Sequence, residues 1–374
     1  MRFEINALYP FDLGLELDFK ESAAGKGSSA VNEFFKSIST RVSTVPVLIP
    51  GIKNVRAEPS IETTSVIYKF GVGILGIKIS VDCSIKELAE ISFLVEDIRL
   101  GKTTLVDYAR SSAESIIKKA TRYATYRYET RLPEEEIFPI FTTNDVIPSI
   151  GESGGASRFI EENSRVIFGI LSGEKDYEKI SDYILSEEKL INYGYYQNDI
   201  ILIKRFGAFV RSEVDAAAVS DMIKLALSQY WSLKSYNYIM DQELDKAQTL
   251  ISRMPPYYKF WKMPGAYHKF SSETIDFDKD KIAIVDSLYN VMVNIPRLEA
   301  DWHLKTIHRN VNKVFGIDEL YKTVGMKIER IEESYNAARD YMATNFFILL
   351  DLIFFLSLAW SVFDTMLLYT IARK

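Results

Sequence analysis

Apolar and polar side chains alternate in short runs over the first sixty or so residues, as in Phe3-Ile5-Ala7 and Leu13-Leu15-Leu17-Phe19, the period-two pattern of half-buried strands. Residues 64–81, rich in Val, Ile and Tyr, continue the strand signal, and Asp82 and Ser84 stand as capping candidates before a helix over about residues 84–96. A further helix is expected over residues 103–131. Pro133, Pro139, Pro148 and the loop Gly151-Glu152-Ser153-Gly154-Gly155 then mark a boundary. Residues 199–210 repeat the earlier outline. Lys204-Arg205-Phe206-Gly207-Ala208-Phe209 echoes Tyr68-Lys69-Phe70-Gly71-Val72-Gly73, and Asp215, like Asp82, precedes a helix. A duplicated unit and two independently similar layers both fit this echo.

From residue 221 the period changes. Ile223, Ala226, Tyr230, Leu233, Asn237, Met240, Leu244, Ala247 and Ile251 keep a 3,4 spacing, which predicts a helix with a coiled-coil seam as far as Ser252. Pro255-Pro256 ends it, and the aromatic stretch Tyr257-Tyr258-Lys259-Phe260-Trp261-Lys262-Met263-Pro264 reads as a loop suited to a groove, a partner or a lipid headgroup contact, or packed on the bundle. A second helix is expected from Lys281 to about Val314, with Ile284, Leu288, Val291, Ile295, Leu298 and Trp302 on the same spacing and Pro296 kinking it. Gly316 breaks the run. A third helix from Ile317 then sets Leu320, Val324, Ile328, Ile331, Tyr335, Ala338 and Met342 in line. Three seams in succession predict an antiparallel helical hairpin or bundle. Ile223, Tyr230, Asn237, Leu244, Ile331 and Tyr335 are the candidate homo-oligomer contacts, with Asn237 fixing register at some cost in stability.

The third helix continues without interruption into an apolar stretch, residues 346–368. At about 1.5 Å per residue it is roughly 34 Å long, against a hydrocarbon core of about 30 Å. Asp351 and Asp364 oppose insertion, each at about +2.5 to +3.5 kcal/mol at a helix centre, but both lie six or seven residues from the midpoint, Ser357. The many Leu, Ile, Phe and Val residues, at about −0.3 to −0.6 kcal/mol each, outweigh them. At about 100° per residue, Asp351, Ser357, Ser361, Asp364 and Thr365 share an arc of about 140°, a polar stripe that calls for another helix rather than lipid. The alternative is an amphipathic helix packed on the rest of the protein. The expected architecture is therefore α+β: residues 1–150 as an α+β domain of mixed strand and helix layers, 151–220 as a second small α+β unit, 221–345 as a long helical hairpin or bundle, and 346–370 as one transmembrane helix.

Composition narrows the function classes. The 374 residues are 47% hydrophobic and 26% charged, ample for a core. A net charge of −6 excludes a global basic field, so nucleic acid is not an expected partner. The local candidate is Lys118, Lys119, Arg122, Tyr123, Tyr126, Arg127, Tyr128 and Arg131, where charge and stacking suit RNA. A solvated helix face meeting the acidic run Glu134-Glu135-Glu136 is the more ordinary reading. One cysteine, Cys83, allows no intrachain disulfide and fits a reducing compartment, with Cys83 as a core residue. The first residues lack the layout of a signal peptide, so the body is expected on the cytoplasmic side of a single-pass C-terminal anchor, although Arg373 and Lys374 weakly favour the opposite sense.

The motifs that would carry chemistry fail on context. Ala23-Ala24-Gly25-Lys26-Gly27-Ser28-Ser29 lacks the upstream glycine and the Ser or Thr that a P-loop needs, with Lys20 and Gly27 in those places. Gly71-Val72-Gly73-Ile74-Leu75-Gly76 matches a dinucleotide fingerprint in letters, yet it leads into strand rather than opening a helix, so glycines for close packing are the better account. His303 and His308 are five apart, about 140° around a helix, and cannot share a metal there; with His268 they are expected to be structural. No catalytic, cofactor or metal site is nominated.

The second half resembles the family of the "required for meiotic nuclear division" proteins, also called YagE-like. The likeness rests on residues 199–215, on Ala226-Leu227-Ser228-Gln229-Tyr230-Trp231-Ser232-Leu233-Lys234-Ser235-Tyr236-Asn237-Tyr238-Ile239-Met240-Asp241, on Asp286-Ser287-Leu288-Tyr289, and on Arg297-Leu298-Glu299-Ala300-Asp301-Trp302. It spans roughly residues 192–363 and leaves out the first 150. Lys234 stands where that family usually has an acidic residue and Ser235 where it has Arg, so the likeness is one of layout. It implies a small α+β domain, coiled helices and a C-terminal transmembrane helix, without catalytic residues, and a membrane tether that supports translation, with a protein or a ribosome as partner. The expected function is a membrane-anchored, homo-oligomeric, non-enzymatic scaffold. The alternative is an oligomeric ion channel built like the CorA magnesium channels, its pore lined by Asp351, Ser357, Ser361 and Asp364; Gly325-Met326-Lys327 departs from the Gly-Met-Asn signature of that family.

Overall fold

The computed structural model describes residues 1–17, 35–52, 55–120, 124–127, 132–145, 155–212, 216–293 and 301–372. The strands are β1 (Arg2–Asp12), β2 (Leu15–Leu17), β3 (Phe35–Thr44), β4 (Val47–Leu48), β5 (Arg56–Tyr68), β6 (Val72–Asp82), β7 (Arg99–Leu100), β8 (Thr103–Thr104), β9 (Ala124–Arg127), β10 (Phe138–Thr142), β11 (Ile200–Lys204) and β12 (Gly207–Arg211). The helices are α1 (Ile85–Phe93), α2 (Leu105–Ala120), α3 (Gly155–Glu162), α4 (Ser164–Ser172), α5 (Asp182–Glu187), α6 (Ala216–Ser252), α7 (Met263–Val293), α8 (Trp302–Phe315) and α9 (Ile317–Ala372). The class is α+β, as the alternation of patterns predicts. The chain divides into two compact units, Met1–Ser235 with Ser287–Tyr321, and Tyr236–Asp286 with Lys322–Lys374.

The first unit is organised by a mixed seven-stranded sheet of order β11-β12-β10-β1-β6-β5-β3. β1 is central, antiparallel to β6 from Arg2↔Asp82 to Asp12↔Val72 and to β10 from Glu4↔Thr142 to Leu8↔Phe138. Phe3, Ile5, Ala7, Tyr9 and Phe11 share one face of β1, as period two requires, and are buried with Ile77 and Ile79 of β6, Leu88 and Ile91 of α1, Ala109 of α2 and Ile167 and Ile170 of α4. Leu8, Ile74 and Phe138 are buried on the opposite face. There Phe138 meets Phe315 of α8 at 5.5 Å between ring centroids, and Tyr68 is hydrogen-bonded to Ser228 of α6. The sheet thus has helices on both faces.

β10 pairs in parallel with β12 from Ile140↔Ala208 to Thr142↔Val210. The sheet therefore runs across the boundary drawn near residue 150, and the echo at residues 199–210 is its edge hairpin. Pairing removes exposed backbone groups that two separate small layers would have left at their edges. The loop at residues 151–154 and the glycine loop at residues 23–29 lie outside the described residues.

Local signals place several ends. Ser84 caps α1 with a full capping box, its Oγ accepting from the Glu87 amide while the Glu87 carboxylate accepts from the Ser84 amide. Three expectations need correction. The helix expected to reach residue 131 stops at Ala120, and Ala124-Thr125-Tyr126-Arg127, rich in strand-formers, pairs with β2. The seam helix starts at Ala216 rather than 221. The helix expected from Lys281 begins at Met263, because Pro264 sits in its first turn, where a missing N–H costs nothing. It ends at Val293, and α8 starts afresh behind the Asp301 cap, which accepts from the His303 and Leu304 amides. Pro296 lies outside the described residues.

The second unit is helical. The later half of α6, α7 up to residue 286 and α9 from residue 322 bury Met240, Ala247, Phe270, Phe277, Ile284, Ile331 and Met342. Tyr335 lies between Phe270 and Phe277, at 5.7 and 5.2 Å. Of the residues on the heptad spacing, Met240, Ala247, Ile284, Ile328, Ile331, Tyr335, Ala338 and Met342 are buried in this unit, whereas Ile223, Ala226, Tyr230 and Leu233 belong to the first unit and Ile251 is exposed.

The glycines of the fingerprint-like run serve packing. Gly71 turns the β5–β6 hairpin at φ 79, and a Cβ on Gly73 would stand 2.1 Å from Cζ of Phe11. Gly73→Ala is expected to destabilise the protein by roughly 1–3 kcal/mol through overpacking. Gly265→Ala, with nothing within 4 Å of the added carbon in α7, is expected to be neutral or stabilising by up to about 1 kcal/mol. Denaturant midpoints of the two variants check both signs, and equal midpoints would refute the packing account.

Candidate functional site

α9 is one 56-residue helix with two different surfaces. As far as Asn345 it keeps a buried stripe, including Ile328, Ile331, Tyr335, Ala338 and Met342. From Phe346 to the end of the helix no residue is buried; Leu349 alone is half-covered and the rest are exposed. The helix is long and apolar enough to cross a membrane, with a best-window mean hydropathy of 2.3 and none of that window buried. At roughly 1.5–3 kcal/mol for each large side chain, its uncovered apolar surface represents tens of kcal/mol of burial left unrealised in water. Among the described residues, none buries this segment.

Asp351, Ser357, Ser361 and Asp364 are all exposed on this segment, while Thr365 turns its hydroxyl to the Ser361 carbonyl at 2.8 Å. The backbone of the helix is satisfied internally, so its two carboxylates are the groups that dominate the cost of entering an apolar medium.

The six heptad residues expected to join copies are engaged with their own chain. Ile223 and Ile331 are wholly buried, and Leu244 is half-buried. The Asn237 side-chain oxygen accepts from Lys327 Nζ at 2.7 Å, and the same ammonium pairs with Asp241. An asparagine that would fix register between copies thus fixes it within one. Tyr335 is buried, which pushes its hydroxyl up to about 12, with Glu243 and Glu273 adding to the shift. Tyr230 stacks on Phe315 at 5.4 Å.

The acidic run is a hub rather than a solvated counter-face. Glu135 receives Nε of Arg110 on α2 at 2.6 Å and the Tyr9 hydroxyl at 3.1 Å, and the guanidinium beside it holds its carboxyl below the usual carboxylate range. Glu136 takes both amino groups of Arg205 at 2.5 and 3.2 Å. Arg205, from the β11–β12 turn, lies 4.6 Å over the Tyr230 ring and 5.6 Å from that of Phe315. Lys234 is within 3.7 Å of Glu136, also pairs with Glu134, and stands 4.9 Å over the Trp231 ring. Lys234 therefore balances the acidic run. The Arg205–Glu136–Lys234 cluster escapes sequence reasoning; its signals are a basic hairpin tip and three consecutive glutamates.

Tyr126 and Arg127 lie in β9, Lys118 and Lys119 end α2, and Arg122, Tyr123, Tyr128 and Arg131 lie outside the described residues. His303 Nε2 meets the Tyr193 carbonyl at 3.0 Å. His308 Nε2 donates to Oε1 of Gln229 at 2.8 Å, and Gln229 Nε2 donates to the Val291 carbonyl at 2.5 Å. Burial pushes the Cys83 thiol up to about 12 and makes it a poor nucleophile. In the first unit a cleft of about 810 Å³ mixes Glu90, Asp97, Asp176 and Glu178 with Arg99, Lys175 and Lys179, so the two signs nearly balance. In the second, a cleft of about 660 Å³ lies between α7 and α9, lined by Tyr267, His268, Ile275, Phe346 and Phe347 among others.

A profile of the family described as "Uncharacterized protein MJ0711, N-terminal domain" matches residues 2–217, the sheet and its helices up to the start of α6. The "Uncharacterized protein MJ0711" of Methanocaldococcus jannaschii is 23% identical over 194 residues, which is 52% of this chain and 56% of that protein, so the chain spans little more than half the length of that relative. No solved structure matches.

The buried His308 generates a pH dependence. Burial lowers its pKa from 6.5 to about 4, so the folded protein holds it neutral. Between these values the unfolded chain takes up a proton that the folded one refuses. This contribution to stability is complete above about pH 6.5 and is lost as pH falls toward 4, by up to about 3 kcal/mol. His308→Asn, which keeps a donor for Gln229, is expected to flatten the fall in unfolding midpoint between pH 7 and 5. Equal slopes for the two proteins would count against the assignment.

Proposed function

The chain belongs to the family of that N-terminal domain, and from this premise we propose that it is a membrane-anchored, non-enzymatic scaffold or tether, held by α9, that associates with further copies of itself. Its α+β body is the partner-binding part, on the cytoplasmic side. The observation that carries this reading is the uncovered apolar half of α9, continuous in one helix with the buried stripe of the second unit.

Self-association follows from the polar arc. Asp351 and Asp364 are costly against lipid and need partners there. Among the described residues no other helix is long and apolar enough to supply them, so the partner helix comes from a second chain. The heptad residues are taken up within the chain, which leaves the arc of Asp351, Ser357, Ser361 and Asp364 as the association surface. A single cysteine in 374 residues suits a body in a reducing compartment. The resemblance to the YagE-like proteins supplies the partner class, a protein or a ribosome held near the bilayer.

Membrane fractionation and the mass of the detergent-solubilised protein test this together. The full chain is expected to resist alkaline washing of membranes, and a version ending at Asn345 to be released. The solubilised complex is expected at a multiple of 42.8 kDa, and Asp351→Leu with Asp364→Leu to return it to one chain. Full-length and shortened proteins that behave alike in water would end the anchoring reading, and a wild-type complex of one chain would end self-association. Ion flux in liposomes that disappears in Asp364→Leu would move the assignment to the CorA-like channel.

A further inference from the structure

Residues 246–272 contain five basic side chains, Lys246, Arg253, Lys259, Lys262 and Lys269, and no acidic one, within a chain of net charge −6. Lys246 pairs with Glu243. Lys259, Lys262 and Lys269 enter no ion pair among the described residues, and Lys262 and Lys269 are exposed. Tyr258 and Tyr267 stand among them, 56% and 47% exposed. Lys259 Nζ stands 5.6 Å over the Tyr258 ring. Cations outside any ion pair, interleaved with exposed aromatic rings, form the pattern of a surface that meets lipid headgroups.

The second unit sets this surface at a definite level along α9. α7 runs antiparallel to it: Lys281 pairs with Glu332, Phe277 and Phe270 flank Tyr335, and Pro264, Tyr267 and Ile275 line a cleft with Ala343, Phe346 and Phe347. The Tyr341 hydroxyl donates to the Pro255 carbonyl at 3.3 Å. The α6–α7 turn, with its 3-10 segment Tyr257–Lys262, therefore lies beside the last buried residues of α9. Tyr341 precedes Phe346 by roughly 7.5 Å of helix rise, comparable to a headgroup layer of about 5–8 Å on each side of the bilayer.

We propose that this turn and the first turns of α7 form a docking face for an anionic phospholipid surface. Lys259, Lys262 and Lys269 meet the lipid phosphates, and Tyr258 and Tyr267 lie at the interfacial level. The cleft of about 660 Å³, with Tyr267, Ile275, Phe346 and Phe347 in its wall, suits the glycerol and upper acyl region beneath those phosphates. The cations are spread over eleven residues of chain rather than gathered round one point, which matches an array of phosphates better than one free anion. The face takes a favourable charge from the bilayer that the acidic protein as a whole does not. This deepens the anchoring reading and rests on it.

Hydrogen exchange of the full chain in nanodiscs tests the proposal, comparing phosphatidylcholine alone with a mixture containing phosphatidylglycerol. The apolar part of α9 is expected to be protected in both. The backbone amides of residues 253–272 are expected to exchange at least about fivefold more slowly in the anionic discs, the factor that roughly one basic residue's attraction corresponds to. High salt, or the variant Lys259→Glu/Lys262→Glu/Lys269→Glu, is expected to abolish that difference while exchange in residues 322–340 stays unchanged. Equal exchange of residues 253–272 in the two discs, with α9 protected, would overturn the docking face and leave the anchor standing. Unprotected α9 in both discs would overturn the anchor. The same slowing produced by inorganic phosphate in neutral discs would reassign the cations to a free anion and overturn the lipid proposal.

Discussion

The structure depends on one helix that faces two different surroundings. α9 satisfies its own backbone everywhere but in its terminal turns, so its hydrogen bonding does not distinguish its halves. Its side chains do. As far as Asn345, one stripe is buried by α6 and α7 while the charged remainder faces water; beyond it, the helix is apolar outside the arc of Asp351, Ser357, Ser361 and Asp364, and no described residue buries it. An apolar surface of that extent is costly to leave in water, and the function proposed for this protein begins there.

The body obeys a different constraint. A mixed sheet with helices on both faces must bury two sets of alternating residues, and β1 does so with Phe3, Ile5 and Ala7 on one face and Leu8 on the other. Ion pairs tie the segments around this core together. Glu135 with Arg110, and Glu136 with Arg205 and Lys234, hold the segment before β10 against α2, the edge hairpin and α6. These partly exposed bridges order the loop more than they stabilise it, because water competes for each of them.

Much of the fold was legible along the chain. The strand alternation of residues 3–11, the Ser84 cap, the break at Gly316 and the uninterrupted third helix are local signals, each fixed by a few neighbouring side chains, and the structure keeps them. The misread segments are those where a distant partner decides. Residues 124–127 form a strand because β2 lies beside them, and β10 joins β12 across a boundary that Pro and Gly seemed to mark. Pro264 closes a stretch that reads as a loop and in fact opens α7, for a proline ends or opens a helix according to which turn it occupies.

The candidate surfaces divide in the same way. The sequence by itself determined that residues 346–368 are long and apolar enough to span a bilayer and that Asp351, Ser357, Ser361 and Asp364 share one arc, because helix geometry converts spacing directly into direction. Only the tertiary structure decided who meets whom. It turned Asn237 toward Lys327 of its own chain, gathered Arg205, Glu136 and Lys234 from three separate stretches, and brought the cationic α6–α7 turn beside the base of the apolar helix. Periodicity fixes the face a residue occupies, whereas its partner is set by packing between elements far apart in the chain, and no local pattern encodes that.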